Sequence, residues 1–177
     1  MANYGLANSS QWGGQLAVGT SYSGLVSVAA STANQGATTG LRRGKIYDLL
    51  VGTNGTPADN AMEWAVHRVT DTSQVYVGNV SSVSSFFALD LADAGFSAHA
   101  GVNSTNPSST VYAFVGAPIP WYVGVNQRAS YRWVAAPGSE IIYPAVSSAT
   151  GGNGLLLSVR SGGYTGTATA TVMFQEQ

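Results

Sequence analysis

The stretch TGTATATVMF (165–174) decides the fold class that we predict for this chain of 177 residues. Threonine occupies every second position from 167 to 171, while positions 168, 170, 172 and 174 hold Ala, Ala, Val and Phe. Because successive side chains on a β-strand point to opposite faces, this period of two predicts a strand with one buried and one polar face. The stretch therefore indicates a sheet that covers a core on one side.

The stretch AMEWAVHRV (61–69) shows the same alternation, with Met62, Trp64 and Val66 on one face and Glu63 and His67 on the other. Apolar residues do not recur at helical spacing over ten or more positions anywhere in the chain. Other short runs separated by turn-forming residues are strand candidates: KIYDLLVG (45–52), SQVYVGNV (73–80), SSFFALDL (84–91), TVYAFVG (110–116), WYVGV (121–125), SYRWVA (130–135), EIIYPAV (140–146) and GLLLSVR (154–160).

Turn chemistry separates these runs, most densely in TNGTPADN (53–60) and also in NQRA (126–129) and APG (136–138). About eight to ten short strands with turns every dozen or so residues predict an all-β, antiparallel β-sandwich that is jelly-roll-like. Pro144 within a strand pattern indicates an edge or a bulge, because proline cannot donate to a ladder.

Residues 1–40 contain no charged side chain. Two interpretations stay open for this region. It forms either an extended N-terminal arm pinned against a neighbouring subunit, or a first strand of the same sandwich. We accordingly divide the chain into residues 1–40, the arm or first strand, and residues 41–177, the β-sandwich domain.

Charged residues make up only 8% of the chain, against roughly 25% in an ordinary soluble protein. Since interface cores are depleted in charge, this composition favours a protein with much of its surface against partners. The start of the chain (1–15) lacks a basic and an apolar region, and no apolar run approaches the length of a membrane helix. We therefore expect no signal peptide, no membrane partner and synthesis in the cytoplasm.

The net charge of −1 and the absence of long charge runs give no electrostatic footprint for nucleic acid. The nearest feature is the group Arg42, Arg43 and Lys45, which we interpret as a polar collar at a strand start or an interface rim.

Candidate catalytic groups are sparse and isolated. The eight acidic residues stand singly, mostly in turns or at strand ends, and His67 and His99 belong to no metal-binding motif. There are no cysteines, no nucleophile elbow and no phosphate-binding glycine motif. These observations favour a protein that is not an enzyme and that uses no cofactor and no metal.

Six aromatic residues lie on strand candidates, where they serve a core or a subunit interface, or else stack sugar rings from an outer sheet face. They are Trp64, Trp121, Tyr122, Tyr131, Trp133 and Tyr143.

Three segments resemble small virion proteins of tailed bacteriophages that are encoded among the head-structure genes: 41–70, 121–140 and 164–174. The distinctive parts are GTNGTPADN (52–60) and NQRASYRWVAAPG (126–138). The resemblance implies a capsid-associated role, as a decoration or cement protein on the head surface or as another minor virion component. Relatives tend to carry a proline-containing acidic loop in the region 71–110, whereas this chain has ALDLADAG (88–95) without the proline.

The sequence therefore predicts a virion structural protein on the capsid surface, a homotrimer whose further partner is the major capsid protein of a phage. The alternative is a carbohydrate- or receptor-binding β-sandwich module on a virion or cell surface. The residues that we predict to mediate assembly are Tyr4, Leu6, Trp12, Arg42, Arg43 and Lys45.

Overall fold

The structure is a computed structural model that describes residues 2–8, 16–30, 43–69, 86–90, 92, 98–102, 119–143, 147–148, 151–152, 154–163 and 166–176. The described residues form fourteen strands. None of the described segments is a helix of the length and apolarity needed to cross a membrane.

The strands, in chain order, are β1 (Ala2–Asn8), β2 (Leu16–Ala17), β3 (Ser23–Ala30), β4 (Gly44–Asn54), β5 (Ala61–Val69), β6 (Phe86–Ala88), β7 (Ala98–Val102), β8 (Trp121–Asn126), β9 (Tyr131–Val134), β10 (Ile141–Tyr143), β11 (Ser147–Ser148), β12 (Gly151–Gly152), β13 (Gly154–Arg160) and β14 (Thr167–Glu176).

Two antiparallel sheets pack face to face. The first sheet has the order β10-β4-β14-β1-β6, with β9 added to β4 and β2 added to β14. The second sheet has the order β7-β3-β13-β5-β8, and β11 and β12 pair separately. The predicted all-β sandwich is therefore confirmed.

The strand pairs are nested along the chain. β1 pairs with β14, β3 with β13, β4 with β9 and β10, and β5 with β8. The pairing is that of one long hairpin in which the first half of the chain pairs with the second. Successive strand pairs of this hairpin belong alternately to the first and the second sheet. β6 and β7 lie outside this nest and extend the two sheets beyond β1 and β3.

Both sheets contribute to one core. Trp64 and Leu157 of the second sheet are fully buried together with Tyr4, Leu6 and Phe174 of the first. Complete burial of a side chain of this size contributes about 1.5–3 kcal/mol to the free energy of unfolding.

The alternation read from the sequence is confirmed in β14 and β5. In β14 every second residue from Ala168 to Glu176 is buried and the residues between are half-buried. In β5, Met62, Trp64 and Val66 enter the core as predicted, whereas Ala65 and His67 on the other face are buried as well.

Two turns follow the predicted chemistry. Gly55 in the TNGTPADN turn and Gly138 in the APG turn have φ values of 110° and 86°, which side chains rarely adopt. Pro144 and the strand candidates 73–80 and 110–116 lie outside the described residues.

The N-terminal region contributes strands to both sheets. β1 lies between β14 and β6 in the first sheet, and β3 lies between β13 and β7 in the second. Within the described residues, this part of the chain is integrated into the sandwich, as in the first-strand interpretation.

Candidate functional site

The two distinctive stretches of the sequence meet at one end of the sandwich, which we call the loop end (residues 53–61, 126–130 and 161–163). Gln127, from the NQRAS stretch, is completely buried there. Its backbone N–H donates to the carbonyl oxygen of Asn60 at 2.9 Å, and its side-chain Oε1 accepts from the N–H of Ala58 at 2.9 Å. One glutamine thus fastens a loop that lies about 70 residues earlier in the sequence.

Two hydroxyl groups extend this attachment. The Thr53 hydroxyl donates to the carbonyl oxygen of Gln127, and the Gln127 Nε2 donates to Ser161 Oγ at 3.5 Å. Ser161 Oγ in turn donates to the carbonyl oxygen of Ala61 at 2.8 Å. Because buried amide and hydroxyl groups are costly when unpaired, this network favours one arrangement of the loops.

The segment 164–174 and the residue before it reach the same end. Thr167 Oγ1 donates to the carbonyl oxygen of Asn54 at 3.2 Å, and Asn60 Nδ2 donates to that of Gly163 at 3.2 Å. The segments 41–70, 121–140 and 164–174 therefore all contribute residues to this end, although they are far apart in the chain.

The exposed surface of the loop end carries one ion pair. Arg128 Nε lies 3.2 Å from Asp59 Oδ1, and both side chains are mostly exposed. Exposed pairs of this kind contribute little to stability, so this surface presents mainly uncharged donors and acceptors.

The residues predicted to mediate assembly that the structure describes do not lie at the loop end. Tyr4 and Leu6 are buried in the core of the chain itself, where the ring of Tyr4 lies 5.4 Å from that of Phe174. A contact with another subunit through these two side chains would require β1 to leave its own sheet. Trp12 and Arg42 lie outside the described residues.

Arg43 and Lys45 lie at the opposite end of the sandwich, where β4 begins. Arg43 is exposed, whereas Lys45 Nζ is 3.0 Å from Glu140 Oε1. Hydrogen bonds from its own backbone N–H and from Lys45 hold the pKa of Glu140 below its usual value. Of the two, Arg43 is the cation left for a partner.

The sequence reasoning missed Arg68, which lies on β5 in the other sheet. Its Nη1 donates to the carbonyl oxygen of Ile142 in β10 at 2.8 Å, so it links the two sheets at the end that carries Arg43. Ile142 is paired with Lys45 in the ladder. No local signal reveals this neighbourhood, because Arg68 reaches it only through the packing of one sheet on the other.

Four of the acidic residues that the structure describes are engaged by basic side chains. Asp48 pairs with Arg132, and hydrogen bonding to Asp48 raises the pKa of the Arg132 guanidinium.

Burial lowers the pKa of His67 to about 4, so this histidine is neutral at pH 7. Within the part of the chain that the structure describes, no three His, Asp or Glu side chains gather to hold a metal ion.

Most of the aromatic residues serve the core. Trp64 and Tyr143 are fully buried, and Trp121 packs 6.2 Å from Tyr131 and 6.4 Å from Trp133 (distances between ring centroids). These contacts join β8 of the second sheet to β9 of the first and so close one edge of the sandwich. Of the six strand aromatics, Tyr122 alone is strongly exposed, at 54%.

A groove of about 450 Å³ crosses the outer face of the first sheet. Gly52 and Thr169 lie in it together with Leu50, Ser130 and Thr171.

Comparison with protein-family models, with curated proteins and with solved structures found no significant match to the chain.

Proposed function

We propose that this protein is a non-enzymatic virion structural protein, a decoration or cement protein that binds and stabilises the capsid of a tailed phage. The observation that carries the proposal is the meeting of the two distinctive stretches at the loop end, where the buried Gln127 of one stretch accepts from Ala58 of the other.

The strand order supports the same proposal. Nested pairs that alternate between two sheets are also found in jelly rolls, an architecture used by viral capsid proteins and lectins. Since a fold alone does not determine function, the strand order adds weight only together with the distinctive segments.

The distribution of charge suggests how the capsid is bound. Four acidic residues are already neutralised within the chain, by Lys45, Arg128, Arg132 and Arg160. Arg43 is exposed and has no acidic partner among the described residues. We propose that Arg43, with the neighbouring Arg42 and Arg68, faces an acidic patch on the major capsid protein.

A homotrimer fits this role, because capsid lattices offer local three-fold positions and repeated modest contacts add up through avidity. Native mass spectrometry of the purified protein tests the stoichiometry. A trimer is the expected species, and a strict monomer at high protein concentration contradicts this part of the proposal.

The location on the particle is tested by immunogold electron microscopy of the phage that encodes the chain. Regular labelling of intact heads is the expected result. Labelling confined to the tail, or no labelling of particles whose protein content has been checked by mass spectrometry, contradicts a head decoration role.

Charge reversal tests the proposed contact. Arg43→Glu should reduce the occupancy of the protein on heads by roughly tenfold and leave its thermal unfolding unchanged. The control is Arg128→Glu, which reverses another exposed arginine at the opposite end, and its thermal unfolding is measured alongside because Arg128 pairs with Asp59. Equal occupancy of the two variants would exclude Arg43 from the contact.

Deletion of residues 1–35 is a poorer test of assembly, because β1 and β3 supply core side chains.

A further inference from the structure

A cluster of polar and aromatic side chains lies on the outer face of the second sheet, near the loop end. It consists of Tyr122 on β8, Glu63 on β5 and Arg160 on β13, with Tyr22 beside them; we call it the Tyr122 cluster. Arg160 is paired with Glu63 and Glu63 with Gly124 in adjacent ladders, so three neighbouring strands build one row. This cluster takes no part in the proposed capsid contact, which lies at the other end.

Tyr122 lies along its strand. A Cβ added at Gly124 would be 3.9 Å from the Tyr122 hydroxyl oxygen, which places that hydroxyl beside the position two residues further along β8. A ring that lies along a strand turns one side to the sheet and leaves the other to solvent. More than half of the surface of Tyr122 is accordingly exposed.

Glu63 is oriented by its neighbours. Its Oε2 accepts a hydrogen bond from Arg160 Nε at 2.7 Å, and Arg160 Nη2 lies 2.6 Å from the same oxygen. The Tyr22 hydroxyl also donates to Oε2, at 3.2 Å. Every hydrogen bond to this carboxylate from a described residue thus ends on Oε2, and Oε1 is the oxygen left for a ligand.

Arg160 is held just as firmly. Its guanidinium carbon lies 4.6 Å from the centre of the Tyr22 ring, and its hydrogen bond to Glu63 raises its pKa further above neutrality. Its Nε and Nη2 serve Glu63, so Nη1 is the nitrogen left to donate. The side chains of Arg160 and Glu63 are 43% and 33% exposed, which leaves both in reach of a bound molecule.

The negative charge of Glu63 and the positive charge of Arg160 cancel within the Tyr122 cluster. A phosphate or carboxylate ligand would meet the Glu63 carboxylate, and a cationic ligand would meet Arg160, so neither sign is favoured. A neutral ligand with an apolar face and adjacent hydroxyl groups satisfies all three side chains, because it covers an aromatic ring while it donates to a carboxylate and accepts from a guanidinium.

We propose that the Tyr122 cluster binds one pyranose ring of a neutral sugar. The C–H face of the ring lies on Tyr122, one hydroxyl donates to Glu63 Oε1, and a neighbouring hydroxyl oxygen accepts from Arg160 Nη1. Tyr22 does not touch the sugar and acts as a positioning residue for Glu63 and Arg160. The proposal is independent of the capsid role and would give the particle a reversible contact with a glycan.

Saturation-transfer NMR tests the site with a panel of methyl pyranosides: glucoside, mannoside, galactoside, N-acetylglucosaminide and rhamnoside. We expect transfer to the C–H protons of one ring face of at least one member. Tyr122→Ala should weaken that binding by roughly tenfold, whereas Tyr122→Phe retains the ring and should keep most of it. Val134→Ala, which removes an exposed apolar side chain from the other sheet, is the matched control and should bind normally.

The role of the carboxylate is tested by Glu63→Gln, with thermal unfolding measured alongside to separate misfolding from loss of binding. A folded Glu63→Gln variant should bind more weakly than the wild type. The proposal is overturned if the wild type shows no transfer to any pyranoside. It is also overturned if Tyr122→Ala and Val134→Ala bind as well as the wild type does.

Discussion

The outer faces of the two sheets differ in how deeply their side chains are buried. In the first sheet, β14 alternates between buried and half-buried residues, and Leu50 of the neighbouring β4 is 44% exposed. In the second sheet, Leu156 and Ser158 of β13 point away from the core shared by the sheets and are nevertheless completely buried. The first sheet therefore has one packed face, and the centre of the second has two.

This difference shows why the same period of two has different energetic consequences in the two sheets. An outward position in the first sheet tolerates a change of side chain, because solvent accommodates it. An outward position at the centre of the second sheet lies in close-packed surroundings, where a change of volume is felt.

The largest effect is expected on the packed face of the first sheet. A Cβ on Gly44 would overlap the hydroxyl and ring of the buried Tyr143, so Gly44→Ala should lower the free energy of unfolding by about 3 kcal/mol or more. The control is Gly52→Ala on the outer face of the same strand, where the nearest atom is at an ordinary 3.7 Å. Urea unfolding measures both, and equal losses would contradict the assignment of the two faces.

Leucine truncations compare the outer faces of the two sheets directly. Leu156→Ala should cost about 3 kcal/mol, because it leaves a cavity in a buried layer. Leu50→Ala removes the same atoms from a half-exposed position and should cost less than about 1 kcal/mol. If the two variants have the same urea midpoint, the outer face of the second sheet is not a packed layer.

The pH dependence of stability sharpens the comparison at His67, which is buried on that same outer face. Its folded pKa of about 4 lies below the unfolded value of about 6.5, so the unfolded chain binds the proton first. Above pH 6.5 neutral His67 does not reduce the free energy of unfolding. As the pH falls from 6.5 to about 4, protonation of the unfolded chain lowers the free energy of unfolding progressively, by roughly 3 kcal/mol in all.

The measurement is urea unfolding of the wild type and His67→Gln between pH 7 and pH 4. The difference between the two proteins isolates this group from the carboxylates that titrate in the same range. A constant difference across the range would show that His67 does not titrate as its burial requires.

The smallest effect has the opposite sign. The Ser27 hydroxyl is buried on the outer face of the second sheet and has no hydrogen-bond partner among the described residues. Ser27→Ala removes an unpaired polar group and should raise the free energy of unfolding by about 1 kcal/mol. Thr169→Ala on the first sheet, where the hydroxyl donates to the Gly52 carbonyl oxygen, should not be stabilising. A destabilised Ser27→Ala would mean that this hydroxyl is satisfied.

Local patterns made part of this fold predictable. The alternation in β5 and β14 and the turns at Gly55 and Gly138 follow from side-chain direction and backbone sterics, which act within a few residues. The pairing of β1 with β14 and the double burial of β13 depend on contacts between distant parts of the chain. No short window of sequence contains that information.

The candidate sites divide in the same way. The stretches 52–60 and 126–138 were distinctive as sequence, but the role of Gln127 could not be read from it, because a glutamine in a turn is ordinary until its partners are known. Tyr122 was one of six candidate aromatics, and only the packing showed which five serve the core. Arg68 gave no signal at all.

The nested pairing has a consequence for biosynthesis. β14, the last strand, lies between β4 and β1 at the middle of the first sheet, so its partners emerge from the ribosome long before it does. Until β14 has been made, β1 and β4 each keep the edge that β14 occupies open, a state that favours aggregation. The first sheet therefore closes only after β14 has been synthesised, because β1 and β4 are joined through that strand.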